Sequence, residues 1–467
     1  ETRGAQSLDI RRGTALEGKE HTMPETALNS GDTAWILTCA ALVLLMLPGL
    51  ALFYGGMTRA KSTLNMMMMV MGALCLIGVI WVLYGYSMTF GTDIGNGLIA
   101  SPTEFFGLEG LMTEDPEATY PAMAFVAFQA MFATITVALI AGAIADRAKF
   151  GVWLVFGAIW ATLVYFPVAH WVWAAGGWIF EGAGPLNGTP AIDFAGGTAV
   201  HINAGAAGLA LCIVLGKRLG WPKTPMKPHN LTLVMIGAGL LWFGWFGFNA
   251  GSALAAGNTS AVVFVNTFAA TCAAALGWLL VERIRDGHAT SLGAASGIVA
   301  GLVAITPSCS AVSPVGALIL GAIAGIVCAL AVGLKYKIGY DDSLDVVGVH
   351  LVGGLVGTLL VGFLATEAAP AGINGLFYGG GLTQLTSQAI AAFVVLAYSF
   401  VLALIIGFAL NKTVGLRVSE DDEVAGVDRT EHAESAYELT DTGAGGKFAG
   451  LSAHAAQRSL KEEEVKA

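Results

Sequence analysis

Two stretches place an ionisable ring inside otherwise apolar sequence. Val200-His201 is followed by Gly205 and Gly208, and Val349-His350 by Gly354 and Gly357, so both read VHxxxGxxG. At helical spacing each histidine shares a face with its two glycines. Glycine faces let helices approach closely in membranes, so each imidazole is expected to point into the protein. If the two stretches are repeats related by a two-fold axis, their rings meet near the bilayer midplane. Two neutral imidazoles there share a proton, titrate as a unit and pass hydrogen bonds along a narrow path. Spacing leaves a second reading open: two separate histidines, each satisfied within the helix packing. Ionisable groups inside membrane segments are usually functional.

Asp193 stands just before the first stretch, with Gly196 and Gly197 after it. It reads as a helix N-cap, or as a negative charge near a mouth that favours a cation; the two roles are compatible. Asp345, five residues before His350, is the expected counterpart, and it also fits a cap alone. Aromatic residues gather at the ends of several apolar segments: Phe125, Phe128 and Phe132; Trp171 and Trp173; Trp242, Trp245 and Phe248. Membrane-interface belts are the ordinary explanation. Yet Phe128 and Phe132 share one helix face, and Phe248 and Ser252 another. Aromatic faces around a hydroxyl hold a small cation by cation–π attraction and one hydrogen bond. Stacked phenyl rings below them make a gate that stops hydrated ions and passes a small neutral molecule.

Other features point away from chemistry on bonds. Met66–Met69 reads as flexible packing rather than a copper site, for want of a matching His or Cys cluster. The six cysteines form no CxxC pair, so no disulfide scaffold or zinc site is expected. His170, Gln129 and Asn65 read as helix-packing hydrogen bonders. No HExxH, P-loop, GxSxG or dinucleotide fingerprint is present. The expectation is therefore a protein with no metal and no cofactor that is not an enzyme.

The elements that must position these residues are membrane helices. The chain has 467 residues, 55% hydrophobic and 12% charged, with 62 glycines and a mean hydropathy of +0.70. That composition places it among polytopic membrane proteins. Its net charge of −10 argues against a nucleic-acid partner. Crossing the bilayer as a helix takes about 20 apolar residues. Eleven candidates are expected: 34–54, 66–90, 121–144, 151–174, 196–216, 230–251, 261–281, 290–306, 314–334, 346–366 and 388–411. This reading puts 19 of the 23 Lys and Arg on one side, in alternate loops and the C-terminal tail. The remaining four (Arg3, Arg11, Arg12, Lys19) lie in the N-terminal extension, and the opposite loops have none. By the positive-inside rule the basic side is cytoplasmic, the N-terminus is outside and the C-terminus inside. The fold class expected is an all-α integral membrane protein, an inverted five-plus-five repeat plus a final helix. Residues 1–30 read as a polar extension, disordered and partly extraneous to the folded protein, with no leader's apolar core. Residues 31–411 form the helical domain, 412–440 a regulatory tail and 441–467 a variable polar tail.

Several long motifs resemble a known family. "DFAGGTAVHINAGAAG" (193–208), "WFGFNAGSA" (245–253) and "DDSLDVVGVHLVGG" (341–354) are similar to the ammonium transporter family, the Amt, MEP and Rh proteins. "FQAMF", "AHWVW" (169–173) and the tail "EDDEVAGVDRTEHAESAYEL" (420–439) fit as well, so the likeness runs from about residue 31 to 440. Trp173 and Ser252 bring it nearer the bacterial Amt-type branch than the Rh branch. The resemblance implies that Phe132, Trp173 and Ser252 recruit ammonium at the outer mouth, with Asp193 held nearby and important for transport. It implies that Phe132 and Phe248 form the phenyl gate and that His201 and His350 line the pore and relay protons. Expected partners are ammonium (methylammonium as analogue), the lipid bilayer of the cell membrane, two further copies in a homotrimer, and a PII-type protein at the cytoplasmic face and tail. "AHWVWAAGGWIF" departs from the family's commoner Trp-Gly-Gly-Gly form. Alternatives are an Rh-like electroneutral NH3 or CO2 channel, and an ammonium sensor signalling through its tail.

Overall fold

A computed structural model describes residues 27–437, apart from 114, 116 and 225. Residues 1–26 of the expected extension and the polar tail at 441–467 lie outside the described residues. Within them the fold is helical, with only isolated β-bridges.

Ten helical elements are long and apolar enough to cross a membrane. They are α1 (Ser30–Met57), α2 (Ala60–Phe90), α3 (Ala122–Ile144), α4 (Phe150–Trp173), α5 (Gly197–Leu215), α6 (Leu231–Gly251), α7 (Asn258–Arg285), α9 (Pro314–Ile338), α10 (Val347–Leu364) and α11 (Thr383–Thr413). Between α7 and α9 lies the shorter apolar α8 (Ser291–Ile305), in place of the eighth expected span. It is largely buried among α6, α7, α9 and α10, so protein rather than lipid sets its length. Two short helices follow α11: α12 (Glu420–Ala425) and α13 (Val427–His432).

Local chemistry starts these helices where they begin. Asn29 accepts from the first amides of α1, Asn230 from Leu233, Thr290 from Gly293 and Ser313 from Gly316, with Pro314 in the first turn of α9. Each cap satisfies donors that a helix start otherwise leaves unpaired.

The centre is the crossing of α5 and α10. A Cβ on Gly205 would lie 2.5 Å from the Leu351 amide nitrogen. One on Gly208 would lie 3.3 Å from Val346, and one on Gly354 3.1 Å from the Gly197 carbonyl. As numbering rises along α5 it falls along α10, so the helices run antiparallel, backbone against backbone. Both begin with a π-helical turn, Gly197–Ile202 and Val347–Leu351, and each turn holds its histidine. Such turns often mark functional positions.

Buried charges lie at the basic-loop face. Arg218 donates to both oxygens of Asp341 (2.8 and 2.9 Å) and to Asp146 (3.1 Å). Burial alone raises the Asp341 carboxyl, but Arg218, with Arg147 behind it, outweighs burial and holds it below the usual carboxylate range. Its stabilisation is therefore in force above the ordinary value of 3.8 and is lost as pH falls through the lower folded-state value. Across this face lies the tail. Asp428 accepts from the amides of Leu64 (3.0 Å) and Asn65 (2.7 Å) near the start of α2. Glu431 accepts from Phe150 (2.9 Å) at the start of α4. Glu423 accepts from Leu219 (2.8 Å) and pairs with Arg417 (2.8 Å) and Arg59 (3.6 Å).

Two outcomes are expected in thermal unfolding of the detergent-solubilised protein. Gly205→Ala forces a methyl against backbone and costs about 1–3 kcal/mol, whereas Gly78→Ala, with nothing within 4 Å, is neutral or slightly stabilising. Equal effects would contradict the close crossing. Arg218→Leu leaves the buried Asp341 carboxylate without its side-chain partner, while Asp146 keeps Arg59, and costs about 3–5 kcal/mol near neutrality, with the loss shrinking on acidification. A pH-independent loss would exclude the ion pair as its source.

Candidate functional site

The first turn of α5 is organised by one carboxylate. Asp193, nearly buried, accepts from the amides of Gly196 (2.8 Å), Gly197 (2.6 Å), Thr198 (2.8 Å) and Ala199 (3.0 Å), and from the Thr198 hydroxyl. Gly196 makes the reversal that allows this, at φ +122°. Asp193 thus caps the helix start through its side chain, and its charge faces that start.

The expected counterpart, Asp345, does not play this part. The carboxylate that closes the start of α10 is that of Asp342, which accepts from Val346 (3.1 Å) and Val347 (2.7 Å). Asp345 instead pairs with Lys335 at 2.7 Å. Each histidine follows its capping aspartate by eight residues, and Asp345 stands where Gly196 stands in the first half. Both have positive φ, +64° at Asp345 and +122° at Gly196. An aspartate tolerates the left-handed region better than most side chains.

The caps and the crossing bring the rings together. His201 and His350 face each other through their Nδ1 atoms at 3.3 Å, with centroids 5.3 Å apart and planes 26° from parallel. One Nδ1–H donates to the other's lone pair, so the pair holds a single proton between these nitrogens. His201 Nε2 is buried and has no hydrogen-bond partner among the described residues. Both rings line a narrow cavity of about 10 Å³, otherwise walled mainly by Met46, Leu50, Ile135, Val200, Leu241 and other apolar side chains. That is about the room one water-sized molecule needs.

On one side of this cavity stand stacked aromatic rings. Phe132 and Phe248 stack at 4.1 Å and 20°. Phe128 packs on Phe132 at 4.9 Å, and Trp173 meets Phe132 edge-on at 5.7 Å. Beyond the stack opens a cavity of about 360 Å³, lined by Phe125, Gln129, Phe132, Trp173, Phe180, Asp193 and Ser252 among others. The Ser252 hydroxyl donates to the Phe248 carbonyl (2.8 Å), which leaves its lone pairs as acceptors. The Trp173 indole donates to the Asp193 carbonyl (3.0 Å). The seven residues that the family resemblance points to thus line two cavities: Phe132, Trp173, Asp193 and Ser252 the larger, Phe248, His201 and His350 the narrow one, with the Phe132–Phe248 stack where they meet.

Some residues take other places. His170 bonds Thr89 and Asp93, and Asn65 bonds Ala148 and His432, as packing residues do. Gln129 instead lines the cavity beyond the phenyl stack. Trp245, read above only as one of a cluster of aromatics, stacks on His201 at 5.4 Å and 23°. Its indole donates to Thr306 (2.9 Å), which also contacts Asn249 (3.2 Å). Its spacing to Phe248, nearly one helical turn, was the available signal.

A family model described as Ammonium Transporter Family matches residues 34–437. The chain is similar to a protein named "Ammonium transporter" from Mycobacterium tuberculosis (strain ATCC 25618 / H37Rv), 60% identical over 434 residues, 88% of this chain and 91% of the relative. Among solved structures it resembles Saccharomyces cerevisiae Mep2, with a TM-score of 0.77, 32% identity and coverage of 91% and 95% of the two chains. It also resembles a structure described as "Sensor Amt Protein", with a TM-score of 0.78, 29% identity and coverage of 86% and 98%.

The Asp193 geometry predicts a graded loss of stability. Asp193→Ala strands several buried amides at about 1–3 kcal/mol each, whereas Asp193→Asn keeps one acceptor oxygen and loses less. Thermal unfolding in detergent tests the order; equal melting of both variants and the parent would remove the capping role.

Proposed function

The chain belongs to the ammonium transporter family, and from that premise we propose that it carries ammonium by taking NH4+ apart and moving NH3. It is a multi-pass membrane protein. In this reading eleven spans cross the membrane as an inverted five-plus-five repeat with a final helix, N-terminus outside and C-terminus inside. Residues 31–411 form the transport domain and 412–440 the cytoplasmic regulatory tail. Three copies assemble, and a PII-type protein docks at the cytoplasmic face. The Lys and Arg distribution supports that orientation.

Ammonium enters the outer cavity, where Phe132 and Trp173 offer ring faces, Ser252 offers a lone pair and Asp193 supplies negative field. A bare cation entering the apolar slot beyond would meet a large desolvation penalty. When the rings part, the ion gives its proton to the His201–His350 pair and NH3 slips between Phe132 and Phe248. The pair His201–His350 then offers NH3 hydrogen-bonding nitrogens without a fixed charge, and relays the released proton separately. Net charge thus moves although the ion does not pass intact. The observation that carries this reading is the 3.3 Å imidazole pair, sealed from the outer cavity by stacked phenyl rings.

Solid-supported-membrane electrophysiology on proteoliposomes tests it. Wild-type currents are expected to saturate with ammonium, and K+ to give none. The double variant His201→Ala, His350→Ala is expected to lose most of the current, and His201→Asp or His350→Glu to alter selectivity. Uptake with no current at any ammonium concentration would sink the electrogenic version in favour of an electroneutral channel. Signalling preserved in a double variant without uptake would favour a sensor.

A further inference from the structure

The outer cavity has one wall that none of the paired features explains. Residues 190–194 run along it in irregular backbone just before α5. Irregular backbone at membrane depth must be satisfied by protein. The partner comes from the final helix, outside the two halves that carry the histidines. Gln388 of α11 is fully buried. Its carbonyl oxygen accepts from the Ile192 amide (2.5 Å) and from Gln384 (3.0 Å). Its amide donates to the Ile192 carbonyl (2.8 Å) and to the Thr358 carbonyl of α10 (3.0 Å). A carboxamide has two donors and one oxygen with two lone pairs, so every valence is used. One turn earlier Gln384 donates to the Pro190 carbonyl (3.1 Å). Ile192 immediately precedes Asp193, whose carbonyl holds the Trp173 indole. Thr358 lies on the helix that bears His350.

We infer that Gln388, braced by Gln384, is a positioning residue for ammonium recruitment. It holds the 190–194 wall in register with α10, and so sets where Asp193 and Trp173 stand around the cation. Gln388 itself is absent from the cavity lining. The inference rests on the reading that this cavity recruits ammonium. Its effect falls on capture rather than on passage through the phenyl stack and the histidine pair.

Methylammonium uptake by proteoliposomes containing the purified full chain separates these steps. Gln388→Met removes all four bonds and is expected to raise KM about tenfold, the size of one or two buried hydrogen bonds, with kcat within about twofold of wild type. Gln384→Met leaves the Gln388 bonds to Ile192 and Thr358 in place and removes only those that Gln384 makes to Pro190 and to the Gln388 oxygen, so a smaller rise is expected; it also serves as the test if Gln388→Met does not fold. Trp173→Leu and Ser252→Ala are run beside them. If those raise KM while both glutamine variants leave it unchanged, the positioning role is wrong and the recruitment reading stands. If none of the four moves KM, recruitment at this cavity fails and the positioning role with it. A fall in kcat with KM unchanged in both folded glutamine variants overturns the inference as well.

Discussion

Where α5 and α10 cross, a methyl on Gly205 would sit 2.5 Å from the Leu351 nitrogen, and one on Gly354 3.1 Å from the Gly197 oxygen. Two helices that close leave no room for lipid, water or large side chains. The crossing therefore decides the separation of the two rings it carries, His201 and His350. An extra ångström would break the Nδ1 contact. The π turns at both helix starts widen the backbone there, where the histidines need room to turn toward each other. Stability and the central geometry rest on the same absent Cβ atoms.

Charge is managed by the same economy. The carboxylates nearest the centre, Asp193 and Asp342, face backbone amides rather than cations. They anchor opposite ends of the crossing through backbone amides. The buried guanidinium of Arg218 is kept to the basic-loop face with Asp341 and Asp146. Among the described residues that line the narrow cavity, the ionisable side chains are the two imidazoles, which can carry a hydrogen bond while uncharged.

Much of this was legible in the sequence because it was local. VHxxxGxxG encodes the ring and the close approach within nine residues, and hydropathy and basic loops mark the helices. What escaped notice was either ambiguous locally or set by distant chain. The segment Asp341-Asp342-Ser343-Leu344-Asp345 offers three carboxylates, and proximity to the helix favoured Asp345. The positive φ at that position decides for Asp342, and no propensity announces it. Trp245 looked like a belt residue, since ring stacking on His201 needs a neighbouring helix to be seen. Gln388 meets Ile192 across 196 positions, and Asp428 meets Asn65 across 363; patterns within a window cannot register either pair.

The tail's carboxylates, Asp428 and Glu431, sit on amides at the starts of α2 and α4, on a segment tethered within 20 residues of the end of α11 at Thr413. A group held on so short a tether has an effective concentration of roughly millimolar or more. Any foreign acidic group aimed at those helix starts competes against that figure before it gains any affinity of its own. The face is thus already occupied by its own ligand. Access to it is governed by how often the tail lets go, and a binder that instead accepts the docked tail as part of its surface avoids the contest.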